Sequence, residues 1–195
     1  MNLTQHRRSA AIVIAALAVA LLFGGQVVYG EVTNAYTSPN GYVVFAPTGW
    51  KIFNREYTAF RGGKEEDVYV TQETDLFSRT TKYVVISSGS PEAIFGLSTK
   101  VISRISKDEL VDFYIDQATN GHIDYKVTKA TTKGEGDAKV YLIEANYSVP
   151  GYRQFSNTSI AFKNGKAFVT SAVYLGTFSN YAPTLQAIAD SVTIR

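Results

Sequence analysis

Residues 139–175 read KVYLIEANYSVPGYRQFSNTSIAFKNGKAFVTSAVYL, and the fold is decided in this stretch. Lys139 to Ser148, Phe155 to Phe162 and Lys166 to Leu175 are rich in β-branched and aromatic residues and read as three strands. Asn164-Gly165 separates the last two by two residues that tolerate positive φ, the strongest short hairpin signal in the chain. Upstream, Tyr125 to Thr132 supplies a further strand, joined through Gly134-Glu135-Gly136-Asp137. Connections this short cannot cross over to a parallel neighbour, so the four strands form an antiparallel meander. Its aromatics, such as Tyr141 with Tyr147 along one strand and Phe162 with Phe168 across the hairpin, are expected to pack on one another.

Working outward, Ser106 and Glu109 make a capping box, and Val111, Tyr114, Ile115 and Ala118 repeat at helical spacing. A helix is predicted over residues 107–119, with Asn120-Gly121 as its left-handed stop. His122 follows the stop and is expected to cap the helix C-terminus against the dipole. Ser90-Pro91-Glu92 opens a short helix, Ser at the cap and Pro at the first helical position. Pro183 to Asp190 makes another, with Leu185, Ile188 and Ala189 on one face. Near the start, Tyr42 to Phe45, Pro47-Thr48-Gly49 and Trp50 to Phe53 read as a first hairpin. Val68 to Thr71 and Lys82 to Ser87 read as two more strands. The sum is an α+β domain, an antiparallel sheet with helices packed on its faces in an α/β/α sandwich.

Charge is informative once the chain is divided. Of 19 Lys and Arg and 17 Asp and Glu in 195 residues, Arg7 and Arg8 fall within residues 1–30, which hold no acid. The body, residues 31–195, is therefore neutral, with its charges scattered, and gives no electrostatic reason to expect nucleic acid. Arg7-Arg8 followed by the apolar run Ala10 to Phe23 is the order of a secretory signal. Two outcomes stay open: cleavage near Gly30, or a retained membrane anchor through residues 10–28. Either places the body outside the cytoplasm, in a periplasm or at a cell surface. Residues 31–40 read as a tether. The absence of cysteine removes disulfides, thiolate metal sites and thiol nucleophiles together.

No catalytic constellation is legible. There is no Gly-x-Ser-x-Gly elbow, His-Glu-x-x-His helix, phosphate loop or dinucleotide fingerprint, and His122 is the single histidine of the body. Glu65, Glu66, Asp67, Glu73 and Asp75 are candidate oxygen ligands for a metal such as calcium. Interleaving with Lys64 and spacing unlike an EF-hand loop favour a solvated loop and a polar strand face over a calcium site. Loops are the natural partner-binding segments, here Arg61 to Asp67 and Ser148 to Ser156. The second holds Arg153 between Tyr152 and Phe155, residue types favoured at interfaces. A structural alternative pairs Arg153 with Glu144 across the meander.

Several pieces, in order from Gly41 to Ile194, resemble the PsbP family, extrinsic proteins of photosystem II and their PsbP-like relatives. Asn40-Gly41-Tyr42 before Pro47-Thr48-Gly49-Trp50 resembles the family's opening. Gly89-Ser90-Pro91-Glu92 resembles its Gly-Ser-Pro-Glu helix start, and Lys139 to Ala145 its tyrosine- and glutamate-bearing strand. Asn164-Gly165-Lys166-Ala167-Phe168 resembles its Gly-Lys hairpin and Asp190-Ser191-Val192 its closing Ser-Phe. The family's Arg-His reads Arg153-Gln154 here, so that histidine is not carried over. The resemblance implies a non-enzymatic accessory domain on the outer side of a membrane, working through a membrane protein complex. In a photosynthetic cell it implies photosystem II assembly or calcium and chloride retention. The competing expectation is an extracytoplasmic metal- or small-ligand-binding protein.

Overall fold

The computed structural model describes residues 32–53, 67–72 and 82–195. Ten strands and four α-helices are assigned there. Seven strands form one antiparallel sheet, in the order β3 (Lys51–Phe53), β4 (Asp67–Thr71), β5 (Lys82–Gly89), β9 (Lys166–Leu175), β8 (Tyr152–Lys163), β7 (Val140–Val149) and β6 (Ile123–Lys133). The other three make a small antiparallel sheet in the order β1 (Val32–Thr37), β2 (Tyr42–Pro47) and β10 (Thr193–Ile194). The helices are α1 (Pro91–Phe95), α2 (Thr99–Ile102), α3 (Lys107–Gly121) and α4 (Ala182–Asp190).

Two cores lie on opposite faces of the large sheet. On one, Phe95 of α1 and Leu110 and Val111 of α3 pack on Tyr141, Ile143, Ile160, Phe162, Ala167 and Val169. On the other, Tyr42, Val44 and Ala46 of β2, with Leu185 and Ile188 of α4, pack on Val84, Ile86, Phe168 and Ala172. The result is an α+β fold in which the large sheet is sandwiched between helices on one side and α4 with the small sheet on the other. Burying a Leu or Ile completely is worth roughly 1.5–3 kcal/mol, and Leu185 and Ile188 are 0% and 1% exposed. The short α4 therefore stays in place through its packing rather than its helix propensity.

The meander forms as the sequence predicts, in one register from Val140↔Ala161 to Lys163↔Lys166. Its hairpin places Asn164 at φ 52° and Gly165 at φ 72°, as a primed two-residue turn requires. The capping box is complete: Ser106 Oγ accepts from the Glu109 amide at 3.2 Å, and the Ser106 amide donates to Glu109 Oε2 at 2.6 Å.

Five expectations are corrected. β2 and β3 do not pair; Pro47-Thr48-Gly49 carries the chain from the small sheet to the large one. Pro47 ends β2 without an N–H to donate, and Gly49 turns at φ 82° while the Trp50 amide donates to the Pro47 carbonyl at 3.0 Å. The place of a hairpin partner is taken by β1, which falls in the stretch read as a tether. Phe162 and Phe168 point into opposite cores, because the two-residue turn sets Phe162 opposite Ala167 and Phe168 opposite Ala161. The helix runs through Gly121, and the left-handed residue is Asp124 at φ 52°. The loop expected from Ser148 to Ser156 contracts to a turn at Pro150-Gly151, since Val149 already pairs with Tyr152.

Gly165 sits in open space, with nothing within 4 Å of a Cβ placed there, so only its backbone conformation resists substitution. Gly165→Val should cost about 1–3 kcal/mol in a thermal or denaturant melt, because a β-branched residue is forced to positive φ. An unchanged melt would contradict the turn.

Candidate interaction site

At one corner of the large sheet the start of β6, the end of β7 and the start of β8 come together. Ser148 lies opposite both Ile123 and Arg153, and Asn146 lies one rung further in. Antiparallel pairing sends the side chains of Asn146, Ser148 and Arg153 to one face. There Arg153 Nε donates to Asn146 Oδ1 at 2.8 Å, with Nη2 on the same oxygen. Its Nη1 donates to Ser148 Oγ at 3.0 Å, and Nη2 also reaches the Asp124 carbonyl at 3.4 Å. Ser148 Oγ donates onward to Asp124 Oδ2 at 3.1 Å, which gives the left-handed Asp124 a side-chain anchor. The guanidinium is thereby fixed in one orientation, and among the described residues no carboxylate is bound to it.

Arg153 does not pair with Glu144. Glu144 lies opposite Asn157, four residues from Arg153 and about 13 Å along the strand. It meets Lys129 instead, Nζ to Oε1 at 3.2 Å, an exposed pair worth at most about 1 kcal/mol.

Tyr152 and Phe155, named with Arg153 from the sequence, separate in role. Tyr152 is 53% exposed at the tip of the turn, and Ile123 nearby is 68% exposed. Phe155 is half-buried and stacks on Tyr174 at 5.5 Å with an interplanar angle of 15°. It supports the strand carrying Arg153 and offers little surface. Glu65, Glu66, Glu73 and Asp75 lie outside the described residues, and Asp67 opens β4 opposite Ser87. Among the described residues no three or more Asp, Glu and His gather where a metal ion could be held.

The reverse face of the corner is aromatic. His122 Nδ1 donates to the Ala118 carbonyl at 2.9 Å, the helix-capping role read from the sequence. With the helix end satisfied by this side chain, Gly121 has no need to turn left-handed. The imidazole packs on Tyr147 with centroids 4.3 Å apart, and Tyr147 stacks on Tyr125 at 6.0 Å. Further in, the Tyr114 side chain lies beside Thr158 and Ser171, whose hydroxyls are joined at 2.9 Å. Asn146, Asp124 and this tyrosine row were not legible as a site in the sequence. The only signal was alternation along β7, which sets Asn146 and Ser148 on one face and Tyr147 on the other.

The corner thus offers a fixed cation with exposed Ile123 on the same face, while exposed Tyr152, the neighbouring residue at the turn, alternates to the other face. A surface of this make-up is suited to gripping another macromolecule, since Arg and Tyr supply much of the energy at protein interfaces.

Comparison with solved structures shows what the fold is similar to. Cyanobacterial PsbP (CyanoP) from Synechocystis sp. PCC 6803 superposes with a TM-score of 0.56 at 14% identity, over 89% of this chain and 99% of that one. The Saccharomyces cerevisiae Ran-binding protein Mog1p superposes with a TM-score of 0.53 at 8% identity, over 85% of this chain and 96% of that one. The sequence matches no protein-family profile and no curated protein. The PsbP-like fold read from the sequence is therefore shown, and identities this low speak for the fold alone.

Burial holds the Tyr147 hydroxyl up from its ordinary 10.0 to about 12, with Tyr114 and Tyr125 adding to the effect. Tyr125 is raised to about 12 as well, first by burial and then by Tyr114. Their folded values lie above the unfolded one, so their contribution to stability is complete below pH 10 and is lost as pH rises from 10 through 12. The melting temperature should fall over that interval, with tyrosinate absorbance resolving a late-titrating class. A single class ionising near 10 would contradict the buried cluster.

Proposed function

We propose that this protein is a non-enzymatic accessory module, exported by its N-terminal segment, that binds a membrane protein complex outside the cytoplasm through the β6–β7–β8 corner. The observation that carries this reading is the pre-set Arg153. Long side chains lose rotamer freedom when an interface immobilises them, at about 0.5–1.5 kcal/mol each, and Arg153 is already held by Asn146, Ser148 and the Asp124 carbonyl. Exposed Ile123 adds apolar area on the face of Arg153, and exposed Tyr152 adds more at the adjoining turn. Both are single exposed side chains, compatible with a body that stays dissolved before it meets its partner.

The fold supports the same reading. Of these two neighbours, one is named a cyanobacterial PsbP and the other a Ran-binding protein, so the scaffold is used for protein binding in at least one of them. In a photosynthetic owner the complex would be photosystem II, with calcium and chloride retention as part of the role. Elsewhere it would be another envelope complex. The segment 10–28 would add membrane anchoring if retained.

Arg153→Ala should lower co-purification with the solubilised membrane complex about tenfold or more, while stability changes by less than about 1 kcal/mol. Arg153→Lys, which keeps the charge and loses the forked geometry, should recover part of the binding. If Arg153→Ala destabilises the fold and binding falls only in proportion, Arg153 is a structural residue and the corner is not the site.

A further inference from the structure

At the far end of the large sheet, β6 has a neighbour on one side only among the described residues. It is 11 residues long against about 5–6 for a typical strand, and nearly all of it is exposed. Its two register shifts lie before Lys129; from Lys129 to Lys133 it pairs regularly with Glu144 to Val140. The regular half therefore presents a straight row of outward backbone N–H and C=O groups, which is a template for another strand.

The two sides of this edge differ in charge. Lys126, Lys129 and Lys133 lie opposite Asn146, Glu144 and Val140, so all three project to the face away from α3. Of the three, Lys129 is the one that forms an ion pair among the described residues, with Glu144. On the α3 side runs a cleft of about 340 Å³ between the helix and β6–β7, walled mainly by Val111, Ile115, Ala130, Tyr141 and Ile143, with the α3 carboxylates Asp108 and Asp112 also lining it, so that an acidic side chain is repelled from this side. The small Ala130 leaves room there beneath the helix. A formally neutral body thus holds a basic ridge on one side of this edge strand and, on the other, a mostly apolar cleft that Asp108 and Asp112 of α3 also line.

We propose that the Lys129–Lys133 edge of β6 is a docking site for an extended segment of a protein partner in which acidic residues alternate with apolar ones. Added as an eighth strand, such a segment hydrogen-bonds along β6 through its backbone. Alternation then sends its carboxylates to the lysine row and its apolar side chains into the cleft beside α3. A second copy of this chain fits poorly. A twofold pairing about Thr131 sets Lys129 directly opposite Lys133, twice, and like charges in opposed pairs are destabilising. The inference deepens the partner-binding reading and rests on it only in taking the occupant to be a protein.

The test uses the full-length purified chain and synthetic peptides of alternating Glu and Val or Leu, read by fluorescence anisotropy and by amide hydrogen exchange of β6. The peptide should bind and slow exchange at residues 128–133. The same peptide N-methylated along one edge keeps its charges and loses its backbone donors, and should not bind. Lys129→Glu combined with Lys133→Glu should weaken binding about tenfold or more. If that variant melts early, the N-methylated peptide on the unaltered chain decides. Equal binding of the N-methylated peptide would overturn the proposal, as would no binding below about 1 mM. So would anionic lipid vesicles or self-association slowing these amides when the peptide does not. None of these readings involves Arg153, so failure here leaves the corner to stand or fall on the co-purification test.

Discussion

The structure depends on the two-sided burial of β9. Seven consecutive residues of that strand, Ala167 to Val173, are buried, so its alternating side chains must be met by apolar surface on both faces at once. Phe168 and Ala172 belong to the core beneath the small sheet and α4, and Ala167 and Val169 to the core beneath α1 and α3. Shifting the strand by one residue would exchange these sets between two cores of different shape, which is why the hairpin at Asn164-Gly165 has to fix the register. β5, β8 and both layers of cover are arranged around this strand.

Cover thins with distance from β9. α4 packs on β9, β5 and β2, and leaves the same face of β6 and β7 to solvent, where Leu142, Glu144, Lys129 and Lys133 are exposed. α3 extends over β6 on the other face, but Ala130 is too small to fill the space beneath it. Among the described residues of the large sheet, those least covered are therefore at the β6 end and at the turn between β7 and β8. Arg153 stands at that boundary, held by neutral acceptors on the adjacent strand, and the lysine row lies along the edge. The sheet's rigid centre sets the positions of both.

Local chemistry made much of the fold legible. The Asn-Gly turn, the Ser106–Glu109 box and the helical spacing of Val111, Tyr114, Ile115 and Ala118 each act within a few residues, and each forms as read. What escaped was set by distant partners. β1 lacks a strand-like pattern of its own and becomes a strand because β2 needs an antiparallel neighbour. The Pro47-Thr48-Gly49 turn looks the same whether the strands around it pair or part, and the small sheet decides. His122 was legible as a helix cap, but the use of Asp124 in place of Gly121 as the left-handed residue depends on Ser148 arriving from β7. At the site, residue type alone pointed to Arg153. Its acceptors Asn146 and Ser148 appear only once the β7–β8 register is known, and the sequence offered Glu144 as a plausible wrong partner.

Native-state hydrogen exchange resolved by residue tests this account most directly, because it ranks the strands by their resistance to opening. Amides of β9 and of its neighbours β5 and β8 should exchange only through global unfolding, with the same free energy as the whole molecule. Those of β6 from Thr128 to Lys133 should exchange through local opening at markedly lower free energy. Equal protection of β6 and β9 would contradict it, since the uncovered edge would then be as firmly held as the centre of the two cores.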